Sequence, residues 1–442
     1  MSRGDASMGD RGTTADVRRF RVPVGRLIAM TPVGIVVGTL CALCLWGISA
    51  LAGLIEHLVW DDLASALGVS SADRWWIVAV LTVTGLLVGL VVRYVPGHAG
   101  DDPATVELVS TPLAPRVVPG LAIAAILSLA GGVSLGPENP IIAINAALIV
   151  AIGARLVPKV AVPEWTGLST AATIGALFGT PVAAALMLSE ANAGDSRVPL
   201  WNRLYVPMVA AATGSFIILR FTDLDMSIGL PAEQVGGVVD VLVAIAIAVA
   251  TAAIGVVAAA LFGPLHRLLH RALPNPILLI TCAGAVLGLL GALGGTITLF
   301  KGLDEMKDLP DRMATTTALG FLAFAGIKLV ALMIASAAGF RGGRIFPAVF
   351  VGVALGFAVH AGLPDLPLVI TVASAAVGIV VVATRNGWVS LFLGLAVVPQ
   401  WDLLVPLLFA TLAAWLVVAN APAFRAEPLD EDRTIDRLPE GG

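Results

Sequence analysis

The amino-acid sequence predicts an all-α polytopic membrane protein built as an inverted repeat, with many tilted and broken helices. Three observations carry that expectation. The 442-residue chain is 58% hydrophobic and 13% charged, with mean hydropathy +0.95, whereas a soluble domain carries about 25% charged residues. Several apolar segments are too short to cross about 30 Å of hydrocarbon, which takes about 20 helical residues. Short segments interrupted by glycine and proline also recur at matching places in the two halves, which is the sequence sign of an inverted-repeat transporter. Gly131-Gly-Val-Ser-Leu-Gly-Pro-Glu-Asn-Pro140 answers Gly339-Phe-Arg-Gly-Gly-Arg-Ile-Phe-Pro347, and Phe178 to Leu186 answers Thr384 to Phe392 more loosely.

Four regions follow: a cytoplasmic N-terminal segment (1–27), a first membrane repeat (28–225), a second (226–420) and a short cytoplasmic tail (421–442). Residues 1–17 are polar and aperiodic and read as disordered. Residues 18–27 read as a short basic interfacial helix, and Arg18, Arg19, Arg21 and Arg26 place that end in the cytoplasm. The apolar segment behind them is too long for a signal peptide. Leu27 to Ile55 spans with tilt. Trp60 to Asp73 reads as an interfacial loop, with Trp75 and Trp76 in a headgroup belt, before a second span, Ile77 to Val92. Pro119 to Leu135 leads into the motif at Glu138, and Ile141 to Leu156 follows it. Trp165 to Phe178 is short, broken by Gly179 to Pro181 and continued to Glu190. Trp201 to Arg220 closes the first half, and a polar linker occupies 223–236.

In the second half, Val238 to Phe262 is a long span. His266, Arg267, His270 and Arg271 read as a basic cytoplasmic loop whose histidines face water. Pro276 to Leu299 and Thr315 to Ala338 are spans, joined by a charged connector, Lys301 to Arg312. Lys328 lies within a span, where it either snorkels or pairs with a carboxylate such as Glu190. Ala348 to His360, Leu366 to Thr384, Trp388 to Val397 and Leu403 to Ala419 complete the chain.

Charge and motif content exclude other classes. A net charge of −4 is too small to argue for nucleic acid. Cys41, Cys44 and Cys282 lie in apolar sequence and read as small hydrophobes. No His-Glu-x-x-His spacing is present for zinc chemistry, and Ser134 has no neighbouring histidine to activate it. The expectation is therefore no enzyme, no catalytic residue, no metal and no cofactor.

Glu138 is the residue around which the chain is organised. It lies between two prolines, with apolar runs on both sides. An ionisable residue at membrane depth is a functional-site hypothesis by default. Pro137 and Pro140 fit the opening turn of a helix, and helix N-termini expose unpaired N–H groups and the positive end of the dipole. The stretch therefore reads as a broken helix end aimed at an anion. The competing reading is a kinked helix with a snorkelling carboxylate.

These residues resemble the chloride channel (CLC) family of channels and proton-coupled exchangers, over about residues 28–420, and within it a bacterial branch of ion-transport proteins. Gly136, Glu138 and Pro140 meet the pattern Gly-x-Glu-x-Pro. Gly343 and Pro347 keep the spacing of Gly-x-Phe-x-Pro, with Ile345 at the Phe position. Gly97-His-Ala-Gly-Asp-Asp-Pro103 stands where the family has Gly-Ser-Gly-x-Pro and lacks the serine. The resemblance implies transport of a small inorganic anion, chloride first, with protons as a candidate second partner, by a homodimer in the lipid bilayer of the inner or plasma membrane. It implies that Glu138 is the gating glutamate, with the anion held by backbone groups at Gly136, Glu138, Asn139, Ile345 and Phe346. A carrier of fluoride or of an organic anion is the alternative.

The departures bear on coupling and selectivity. Glu190 aligns with the first of two acidic residues that exchangers carry, and Ala191 takes the place of the second. The pore serine is absent, and so is the C-terminal pore tyrosine, since the only tyrosines are Tyr94 and Tyr205. His98, Asp101, Arg341 and Arg344 are candidates for a pore mouth. For the two arginines, the competing roles are helix-cap or headgroup contacts.

Overall fold

The computed structural model describes residues 23–106, 111–158, 160–190 and 198–428. Among these, fourteen α-helices of ten residues or more fall into two series of seven. The first series is α1 (Val24–His57), α2 (Arg74–Tyr94), α3 (Val118–Ala130), α4 (Glu138–Leu156), α5 (Val162–Phe178), α6 (Pro181–Glu190) and α7 (Leu200–Phe221). The second is α8 (Val238–Ala272), α9 (Pro276–Gly294), α10 (Ala318–Ala337), α11 (Ile345–Gly362), α12 (Leu368–Thr384), α13 (Gly387–Val397) and α14 (Leu404–Val418). Packing repeats with the order: α1 lies on α7 as α8 lies on α14, and α4 on α5 as α11 on α12. Residues 222–236, between the two series, carry no helix.

Local chemistry sets the breaks. Gly179 ends α5 at φ 65°, a left-handed conformation that glycine adopts without strain, and Pro181 opens α6. Asp240 starts α8 by accepting the amides of Gly236 and Gly237 at 2.9 and 3.0 Å. Asn386 starts α13 through a 2.8 Å bond from the Val389 amide. Nine described helices are long and apolar enough to cross a membrane, whereas α6, α12 and α13 are shorter, as their interrupted sequences predict. Helices α11 and α12 are buried on nearly every face, which is what a helix apolar all round requires.

Small residues bring helices together inside the chain. A Cβ on Gly284 would lie 2.4 Å from Leu81 O, and one on Gly85 2.5 Å from Ile280 O, so α2 and α9 meet backbone to backbone across the two series. The same holds for α5 and α7, where a Cβ on Gly175 would lie 2.4 Å from Ala211 O. A Cβ on Gly214 would likewise lie 2.6 Å from Ala172 O, so small residues of α5 and α7 face each other within the chain.

Three sequence expectations change. The stretch Trp60 to Asp73 is a loop only in its second part: the helix continues through a π-turn (Leu58–Leu63) to Ala66, and residues 67–73 carry no helix. Trp60 is buried there, its indole N–H donating to Ala130 O at 3.0 Å, and Trp76 is buried while Trp75 faces outward. His266 and His270 do not sit in a water-facing loop. Helix α8 runs on to Ala272, His266 is fully buried, and His270 is half-buried. Lys328 is fully buried and neither snorkels nor reaches Glu190; its ammonium donates to the carbonyls of Thr298 (3.2 Å), Leu299 and Phe300 (2.8 Å). The expectations for residues 1–22 and for Ala191, and for the tail beyond 428, lie outside the described residues.

Candidate anion site

Both glycine-rich motifs are helix starts, and they meet. Gly132 (φ 83°) and Gly339 (φ 92°) turn the chain after α3 and α10. After these turns, Gly136 and Gly343 pair as a single antiparallel bridge, with N–H to O distances of 2.8 and 2.6 Å. Two residues further on, the chains enter α4 and α11, so the two helix N-termini lie side by side.

Glu138 opens α4 and has no exposed surface. Its Oε1 accepts the amides of Ile345 at 2.8 Å and Phe346 at 3.0 Å, which are orphan donors of the first turn of α11. The carboxylate of one half therefore sits on the positive end of the other half's helix. Its Oε2 has no hydrogen-bond partner among the described residues. A Cβ on Gly136 would come within 2.0 Å of Oε2, and one on Gly343 within 2.3 Å, so the carboxylate occupies space that only glycine leaves open.

Asn139 borders two cavities. One, about 40 Å³, is lined by Asp101, Thr170, Arg341 and Gly342; the other, about 440 Å³, by Glu190, Arg344, Ile345 and Arg425. Arg344 precedes α11 and stacks its guanidinium over Phe424 at 5.5 Å. Glu190 is brought near the same cavity and accepts the Gly387 amide at 3.4 Å. Phe178, Phe346 and Phe392 cluster beside them, with ring centroids 5.9 and 6.1 Å apart.

Arg341 has a different surrounding. Residues Gly97, His98, Ala99 and Gly100 all have positive φ (80°, 50°, 56°, 78°), at a cost of about 1–2 kcal/mol for each non-glycine residue. The carbonyls of His98, Ala99 and Gly100 point to one spot, which the buried Arg341 guanidinium fills. It donates to His98 O (2.9 Å), Ala99 O (2.8 Å), Gly100 O (3.0 Å) and its own neighbour Gly339 O (2.9 Å). Arg341 thereby ties the loop after α2 to the loop before α11. His98 itself lies on a third cavity with Arg93 and His270, apart from Glu138 and Asn139. Asp102 continues this loop. Burial alone would raise its pKa, but the His266 hydrogen bond and charge, the Arg341 charge and the Ala104 amide hold its carboxyl below the usual carboxylate range.

The family pattern described as "Voltage gated chloride channel" matches residues 84–419. The chain is 47% identical over 388 residues to "Putative ion-transport protein YfeO" of Escherichia fergusonii, covering 88% of this chain and 92% of that protein. It is 45% identical over 395 residues to the protein of the same name from Salmonella schwarzengrund, covering 89% and 95%. The chain belongs to the voltage-gated chloride channel (CLC) family. Its fold is that of the solved CLC structures. A CLC-type fluoride/proton antiporter superposes with TM-score 0.72 at 19% identity, covering 92% of this chain and all of that one. A slow cyanobacterial Cl⁻/H⁺ antiporter superposes with TM-score 0.71 at 16% identity, covering 90% and 95%. CLC proteins are channels or transporters, so this chain is a multi-pass membrane protein of anion transport and not an enzyme.

Some features of this CLC site are not visible in local sequence. The Arg341 clamp joins residues 241 to 243 positions apart, and only the unusual Gly-His-Ala-Gly run hints at it. The Lys328 anchor and the Asp102–His266 contact have no local signature at all.

Proposed function

We propose that the chain conducts a small inorganic anion, chloride first, through a pore that Glu138 closes. The observation that carries this reading is the Glu138 carboxylate bonded to the Ile345 and Phe346 amides. Those amides would otherwise hold a permeating anion, and the carboxylate competes with it for them. Gly136, Asn139 and the first turns of α4 and α11 supply the remaining backbone of the anion site. Arg344, beside the larger cavity, raises local anion concentration on that side. Asp101 and Arg341 border the smaller cavity, which Asn139 also lines.

Ala191, at the position where exchangers keep a second glutamate, favours passive conduction over strict proton exchange. The subunit is read as one half of a homodimer in the inner or plasma membrane. Each subunit holds both broken helix starts, so each carries its own pore. Flux from liposomes loaded with chloride, fluoride, nitrate or an organic anion, with and without a pH gradient, tests the reading. Selective chloride efflux without stoichiometric proton movement is the expected result. Fluoride selectivity would transfer the site to that ion, and proton uptake driven by a chloride gradient at a fixed ratio would overturn passive conduction. Cross-linking in native membranes should trap a dimer, and a monomer would count against that assembly.

A further inference from the structure

One cluster of chemically competent side chains takes no part in the anion site. Asp102 lies in the loop after α2, while His266 and His270 lie one turn apart near the end of α8. Asp102 Oδ2 is 2.8 Å from His266 Nε2 and 4.0 Å from His270 Nε2. One ligand atom from each of the three residues lies within 4.8 Å of the others. The two imidazoles overlap at a tilt, centroids 4.2 Å apart.

The ligands are oriented in advance. Asp102 Oδ1 accepts the Ala104 amide at 2.9 Å, which turns Oδ2 toward the histidines. His270 Nδ1 is 3.0 Å from His266 O. A carbonyl only accepts, so Nδ1 carries a proton, which leaves Nε2 as the ring's ligating nitrogen, facing Asp102 Oδ2 at 4.0 Å. The Asp102–His266 hydrogen bond leaves buried His266 Nδ1 without a partner among the described residues.

We propose that Asp102, His266 and His270 form a binding site for a divalent transition-metal ion of the zinc type. Histidines at i and i+4 present both rings on one helix face, the spacing used by helical zinc sites. Two nitrogens and one oxygen suit zinc-class ions, whereas calcium and magnesium want six or more oxygens. The backbone bond from His270 Nδ1 is the outer partner that fixes a ligating tautomer. On binding, the metal takes the place of the proton on His266 Nε2, and the ligating ring keeps one proton, on Nδ1. The fourth position opens on a cavity of about 580 Å³ that Asp102 and His270 line, which provides an entry path and room for water. An occupied site ties α8 to the loop that Arg341 clamps, four residues before the helix start under Glu138.

Untagged full-length protein in detergent, stripped with a chelator, is titrated with Zn²⁺ by calorimetry and by thermal unfolding. One site per chain and a rise in melting temperature are expected, since a ligand of the folded state stabilises it. His270→Ala should weaken binding by about tenfold or more and lose the rise, and Co²⁺ should give a tetrahedral spectrum only in the wild type. Mg²⁺ should do none of this. Where His270→Ala fails to fold, His270→Gln and Asp102→Asn keep the volume and serve in its place. Zinc binding unchanged in these variants, no binding to the wild type, or equal binding of Mg²⁺ overturns the site. None of these results bears on the anion flux that tests the pore.

Discussion

Gly136 and Gly343 bind each other through both backbone groups, N–H to O at 2.8 Å one way and 2.6 Å the other. The pairing joins equivalent residues of the two series. It fixes the spacing of two helix N-termini without a side chain between them, and the space it leaves holds the Glu138 carboxylate. A carboxylate with one oxygen on two amides and the other bare is held by few contacts, which suits a group that must leave.

Alanine at either glycine tests that space. A Cβ on Gly343 would lie 2.3 Å from Glu138 Oε2 and one on Gly136 2.0 Å, and the atom in the way ends a flexible side chain. Gly343→Ala should therefore expel the carboxylate and leave the helices in place. The expected outcome in liposomes is anion flux at neutral pH above wild type with near-wild-type expression. Flux at or below the wild-type level would mean that the carboxylate does not block the path.

Lys328 should be structural. Its ammonium satisfies three carbonyls of the Thr298–Phe300 turn, and that turn braces the first motif. Phe300 N–H donates to Gly132 O at 3.0 Å, and Ser134 Oγ donates to Thr298 O at 3.0 Å. In the adjoining connector, burial holds Glu305 above the usual carboxylate range against the opposing pull of the Lys328 charge. Lys328→Met removes the charge and orphans buried carbonyl acceptors, at a loss of about 1–3 kcal/mol for a buried group left unsatisfied. Thermal unfolding in detergent should show a clear drop in melting temperature, with pH-dependent flux retained in the protein that folds. A variant that melts with the wild type would remove Lys328 from the framework.

Much of this architecture was legible because the membrane writes it into the sequence. Spans need long apolar runs, and breaks at depth need glycine and proline where the backbone turns, as at Gly132, Pro137, Gly179 and Gly339. The pairing of the two motifs could be read from their repetition. The contacts that join distant segments could not. Asp102 meets a histidine 164 positions away, and an isolated charge in an apolar run looks the same whether it snorkels, caps or anchors, as Lys328 shows. Trp60 was misplaced for a related reason: a tryptophan near a span end fits the interface, and only the Ala130 carbonyl accepting its N–H reveals it as buried. Backbone strain at His98 and Ala99 has no composition signal beyond the flanking glycines.

The central prediction concerns Glu138 itself. A free glutamate, with a pKa of about 4.3, is ionised at neutral pH. Ionised, the Glu138 side chain holds the Ile345 and Phe346 amides; protonated, it loses the charge that keeps it there. Wild-type flux should therefore rise as pH falls, by up to about tenfold per pH unit where the protonated fraction is small, since one unit of pH changes that fraction tenfold. Glu138→Gln keeps the volume and removes the charge, and Glu138→Ala removes the plug. Both should fold, because losing an ionisable group inside the membrane removes a cost and not a support. Both should conduct at neutral pH as the wild type does in acid, with a flat pH profile and no proton coupling. A structural carboxylate that merely caps a kink gives the opposite pattern: poor expression, and the wild-type pH response in whatever protein survives. Flux measured from pH 4.5 to 8 separates the two, and a Glu138→Gln profile that still climbs with acid would remove Glu138 from the gate.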